Sequence, residues 1–162
     1  MLYQLSYTNY KTYLYSALFV LGNIIVPQLC HLMPQGGLIF LPIYFFTLVA
    51  AYKYGMTAGL MTALCSPLLN HLLFEMPPLA MLPILLIKSS LLAVFAALIA
   101  RRVGKVTLPA VALAVVGYQF VGTFIEWPMS GSFQSAIQDI VLGYPGIIIQ
   151  IVFGYLIIKL MK

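Results

Sequence analysis

Charge is what this sequence has least of. Only 7% of its 162 residues are charged, and Glu75, Glu126 and Asp139 are the three acidic ones. A soluble domain carries about 25% charged residues, so the groups needed to coat a water-facing surface are missing. With 63% of the chain hydrophobic, the class that remains is an all-α, polytopic membrane protein, one integral membrane domain over 1–162. Cysteine is scarce too: Cys30 and Cys65 lie in apolar runs without CxxC spacing, so no disulfide framework or redox compartment follows. No Walker A, GxGxxG, HExxH or GxSxG motif occurs, which excludes nucleotide hydrolysis and dinucleotide binding by those routes. The chain is therefore not expected to be an enzyme. Uphill transport would need a partner or an ion gradient.

The acidic residues fall at separate outer ends of the apolar stretches, so no carboxylate pair and no buried relay of acids is expected. The net charge of +5 comes from basic residues scattered among apolar segments, not from a cluster fit for nucleic acid. Met1–Tyr10 has no basic n-region and no small-residue cleavage site, so the first apolar run is expected to be a retained helix.

What the chain does have is long apolar runs. A spanning helix needs about 20 mainly apolar residues, and six stretches qualify: Tyr13–Met33, Leu38–Tyr52, Met56–Phe74, Leu79–Ala100, Val106–Glu126 and Ile140–Leu160. The tyrosines before them (Tyr3, Tyr7, Tyr10, Tyr13, Tyr15) suit the membrane interface. With both termini cytoplasmic, seven of the eight basic residues fall on inner segments, as the positive-inside rule asks. The eighth is Lys88, inside the fourth run. An ammonium near mid-membrane costs about 2.5–3.5 kcal/mol on insertion scales, so it faces either a pocket or a partner on another helix.

The first two runs meet in an uncharged, Pro/Gly-bounded joint, Pro34–Tyr44, preceded by Cys30-His31. A connection this apolar fits a loop that dips into the membrane or closes over a pocket. Sorting polar residues by helical spacing gives stripes: Asn23, Pro27 and His31 on helix one; Thr62, Ser66 and Asn70, with His71 beside it, on helix three. Helix five carries Gln119, Thr123 and Glu126, and helix six Gly146, Gln150 and Gly154. These stripes converge in the outer half, whereas the inner half is Ala, Leu, Val and Ile. A through-pore would be polar along its whole length; this pattern predicts a cavity open to the outside. Any single Asn or Gln also serves as glue between helices, at about 0.6 kcal/mol.

The run His31-Leu32-Met33-Pro34, Leu41-Pro42-Ile43-Tyr44, Lys53-Tyr54-Gly55, Ser66-Pro67-Leu68-Leu69, Met76-Pro77-Pro78, Met81-Leu82-Pro83 and Tyr144–Gln150 resembles the substrate-binding membrane subunits (S components) of energy-coupling factor vitamin transporters. The resemblance implies a six-helix bundle in the prokaryotic cytoplasmic membrane that captures a small water-soluble vitamin or precursor. It also implies a transmembrane coupling subunit and two cytoplasmic ATPase subunits as partners, with the loop between helices one and two as gate. Helix one departs from the family's small-xxx-small spacing, since Ala17 is followed by Leu21 and Ser16 by Val20.

On this reading Lys88 meets an anionic or strongly accepting group of the substrate. Asn70, Gln150, Gln119, Asn23 and His31 fix its orientation, and Tyr44, Phe40 and Trp127 form aromatic walls. No metal or cofactor is expected. The alternatives are a stand-alone corrinoid or haem facilitator using His31, His71 or Cys65, and a membrane scaffold protein that binds no ligand.

Overall fold

Proline and glycine set the breaks in this chain, and the apolar runs between them form helices. Residues 2–161 are described in a computed structural model. Helix α1 (Tyr10–Cys30) starts where the Asn9 side chain accepts a hydrogen bond from the Lys11 amide at 3.0 Å, satisfying one of the free donors of a helix N-terminus. The Pro/Gly joint then folds as a short helix α2 (Gly36–Phe40) and a 3₁₀ turn (Pro42–Tyr44) leading into α3 (Phe45–Tyr54). Gly55 alone separates α3 from α4 (Met56–Phe74), at φ +95° and ψ −177°, a conformation open only to glycine. Helix α5 (Leu82–Val103) ends with Arg101 and Arg102 in its last turn, where cations complement the helix dipole. Helix α6 (Leu108–Ser130) is capped by Thr107, whose hydroxyl accepts from the Ala110 amide. Two single turns, α7 (Phe133–Ala136) and α8 (Gln138–Val141), precede α9 (Tyr144–Leu160).

Among the described residues there is no strand. Five helical segments are long and apolar enough to cross a membrane: Tyr10–Cys30, Gly36–Tyr54, Met56–Phe74, Leu82–Val103 and Leu108–Ser130. This is the pattern of a multi-pass membrane protein. The sixth expected run does not form one helix. It breaks after Val141, because Pro145 lacks an amide hydrogen and fits only the first turn of a new helix. Helix α9 has 17 residues, about 26 Å at 1.5 Å per residue, a little less than a typical hydrocarbon core of about 30 Å.

Helix α3 is the central stave, packed on α1, α4, α5 and α9. Of its spanning segment 67% is buried, against 22% for α1, so α1 is peripheral. The core at one end is a dense layer of small side chains, with Ala93, Ala96, Ala97 and Ala100 of α5 buried alongside Ala110, Val111, Ala114 and Val115 of α6. Without a hydrophobic drive between helices in lipid, such residues bind by letting backbones approach closely. Gly59 does the same between α3 and α4: a Cβ there would lie 2.4 Å from that of Ala51.

Lys53, Arg101, Arg102 and Lys105 lie at this densely packed end. The Tyr3 and Leu5 amides donate to the Lys53 and Tyr54 carbonyls at 2.8 and 3.0 Å, and Tyr3 stacks on Tyr54. Lys53 Nζ donates to the Met161 carbonyl, and the Tyr52 hydroxyl to that of Lys105 at 3.1 Å. The tyrosine lead, expected to lie on the interface, is thus tied back onto the end of α3 at Tyr3 and Leu5, while Tyr7 and Tyr10 stay exposed.

Candidate functional site

At the opposite end a cavity of about 790 Å³ opens between the α1–α2 joint and the α4–α5 loop. That volume lies within the roughly 300–1,000 Å³ of small-molecule pockets. Its wall is mostly apolar, built from Pro27, Leu32–Pro34, Leu38, Pro42, Ile43, Met76–Pro78, Met81 and Leu85, with His31, Gln35 and Asn70 the polar side chains among them. The joint is held over it by close contacts that require glycine. A Cβ on Gly36 would sit 2.0 Å from the Cys30 carbonyl oxygen, and one on Gly146 would sit 2.5 Å from the Phe40 carbonyl. The second contact presses the N-terminal turn of α9 onto α2.

Below the cavity runs a buried hydrogen-bond network. Asn70 Nδ2 donates to the Asn23 carbonyl at 2.9 Å. Asn23 Nδ2 donates to Thr47 Oγ1 and to Ser66 Oγ, both at 3.1 Å, and its Oδ1 accepts from the Phe46 amide at 3.2 Å. Thr47 Oγ1 lies 3.4 Å from Ser89 Oγ. Buried polar groups cost free energy unless paired, so this network fixes α1, α3, α4 and α5 relative to one another. It leads from the cavity wall to the residue beside Lys88.

Lys88 is 1% exposed, and its ammonium donates to Glu126 Oε2 at 2.5 Å and to Asp139 Oδ2 at 2.6 Å. Gly122, one turn before Glu126 on α6, makes room for the lysine stem: a Cβ there would lie 3.0 Å from Lys88 Cγ. The sequence reading kept the acidic residues apart, and the structure corrects it. Helix α6 runs on to Ser130, placing Glu126 inside the bundle, and the turns α7 and α8 fold back to bring in Asp139. The cluster sums to −1, from one ammonium and two carboxylates. Beside it, the Gln119 amide nitrogen and oxygen, Thr123 Oγ1 and Gln150 Nε2 are buried without a hydrogen-bond partner. Gln150 Oε1 accepts from the Tyr118 hydroxyl at 3.2 Å, and the Tyr118 ring lies 5.4 Å from that of Tyr44.

Compared with known proteins, the chain matches no family model, no curated protein and no solved structure.

The expected site residues therefore fall into three places. His31 and Asn70 line the cavity, with Asn23 in the network under it. Lys88, Gln119, Gln150 and Tyr44 belong to the buried interior around the charge cluster. Phe40, half-buried on α2, and Trp127, stacked on Phe133 at 5.0 Å and 46% exposed, line no part of the cavity. His71 bonds through Nδ1 to the Pro77 carbonyl at 2.8 Å, which steadies the α4–α5 loop behind the cavity wall. No group of three or more His, Cys, Asp and Glu is placed to hold a metal ion among the described residues, so His31, His71 and Cys65 are not brought together as a ligand set. Thr47, Ser66 and Ser89 carry much of the network, and the sequence marks them only as polar residues on inward faces; Asp139 was expected only at an outer end. Asp139 in particular gives no periodic signal, since it stands on a single turn.

Proposed function

We propose that this chain captures a small water-soluble vitamin or vitamin precursor, as the substrate-specific subunit of an ATP-driven transporter of the energy-coupling factor type. The observation that carries the reading is the asymmetry of the bundle. One end holds a 790 Å³ cavity with His31 and Asn70 on its wall, while the other is packed shut by Ala and Val side chains. A cavity closed at one end suits a protein that holds its ligand and relies on partners to move it. The resemblance noted in the sequence adds the partners: a transmembrane coupling subunit and two cytoplasmic ATPases. In this reading α9 completes a sixth span, both termini are cytoplasmic in a prokaryotic inner membrane, and the cavity faces outward. The gathering of Lys53, Arg101, Arg102 and Lys105 at the closed end supports that orientation.

Calorimetry with the purified protein in nanodiscs tests it, using a panel of B vitamins and their precursors, cobalamin and haem. One tight binder, weakened at least tenfold by Asn70→Ala, is the expected result. A folded protein silent across the panel would overturn the proposal in favour of a scaffold that binds no ligand.

A further inference from the structure

Two observations around Lys88 can be met by a single ligand. The first is charge: a single ammonium is shared by two carboxylates, with side-chain exposures of 1% for Lys88, 6% for Glu126 and 15% for Asp139. With all three groups ionised, one negative charge is left over in a site nearly shut off from water, where an uncompensated charge costs several kcal/mol. The second is hydrogen bonding: Gln119 has both amide atoms unpartnered, and Thr123 Oγ1 and Gln150 Nε2 are unpartnered as well. Gln119, Thr123 and Glu126 share one face of α6 by their spacing, and Gln150 is joined to that helix through Tyr118.

A bound proton would remove the charge but leave the amides without partners. Water would satisfy the amides but leave the charge. A metal ion would offset the charge but accept no hydrogen bond from the Gln119 and Gln150 amide nitrogens. We propose that the surplus charge and the unpartnered amides together recognise an organic cation: the substrate carries a positively charged group that donates to Glu126, Asp139 and Gln119 Oε1, and beside it an acceptor for the Gln119 and Gln150 amide nitrogens, with the Thr123 hydroxyl serving either. Leu85, one turn before Lys88 on α5, lines the cavity, so the uncharged body of the same molecule would occupy that space. The inference rests on the capture reading and names its substrate class.

The test uses the full chain in nanodiscs at pH 7, with thermal unfolding followed in methylammonium chloride against sodium chloride at equal ionic strength. The expected result is a saturable upward shift of the midpoint with an organic ammonium and none with sodium, abolished by both Glu126→Gln and Gln119→Leu. Gln119→Leu leaves the charge cluster intact, so it serves if Glu126→Gln fails to fold. Equal midpoints in ammonium and sodium, or a shift that survives in a folded variant, would overturn the inference. The vitamin panel separates the two claims. A tight neutral or anionic binder with a flat ammonium response refutes the cation site and keeps capture. An ammonium response with no panel binder does the reverse.

Discussion

Lys88→Met is the perturbation whose outcome the structure fixes most sharply. Methionine nearly matches the lysine stem in volume, so packing against Gly122 is largely kept and the change is mainly electrostatic. Two carboxylates, 6% and 15% exposed, would then share a buried space with no cation. Removing one partner of a buried ion pair costs about 3–5 kcal/mol, and the repulsion between the two acids puts this case toward the upper end. Glu126→Gln has the opposite character: it leaves a neutral Lys88–Asp139 pair and relieves the surplus charge. Its stability should therefore lie within about 1 kcal/mol of the parent, or above it. Because the two residues touch, the variants should not add. Lys88→Met should cost about 1–3 kcal/mol less in the Glu126→Gln background than in the parent. Reversible unfolding by SDS titration in bicelles measures all four corners of the cycle. A Lys88→Met protein as stable as the parent, or strict additivity, would mean that Lys88 is not held between the two acids, and the account of the cluster would fall.

Two further substitutions probe the frame around the cavity. Gly146→Ala drives a methyl group into the Phe40 backbone at 2.5 Å and should part α9 from α2, at a cost of about 1–3 kcal/mol. Capture of the panel ligand should weaken with it, and an unchanged affinity would show that the α2–α9 contact does not shape the cavity. Asn23→Ala removes the hub of the network and leaves the Phe46 amide without its acceptor. A loss of about 1–3 kcal/mol by SDS titration is expected for a stranded buried group, and no measurable loss would show that water replaces the asparagine.

The features legible in the sequence were those repeated along one helix. Asn23, Ser66 and Asn70 were sorted correctly because helical spacing alone puts them on inward faces, and a cavity at one end of the bundle followed from their shared depth. What the sequence hid depends on chain folding between helices. Glu126 and Asp139 reach Lys88 across separations of 38 and 51 residues, and no periodicity links a helix interior to a single turn such as α8. Trp127 misleads for a related reason. It follows Glu126 directly, so if the acid points inward the indole is turned about 100° away on a helix of 3.6 residues per turn. The sixth run was legible as apolar, but its break required weighing Gly143 and Pro145 above hydropathy.

The bonds at Lys53 have a bearing on how the chain is threaded. Its carbonyl is held by the Tyr3 amide and its ammonium by the Met161 carbonyl, so residues 3 and 161 flank one side chain. A short polar linker would span that gap, and the exposed α6–α7 connection, away from the cavity wall, offers a place to open new ends, as surface loops commonly do. The order in which these helices are written along the polypeptide is therefore separable from the way they pack, and a permuted chain would present the same cavity from a different starting residue.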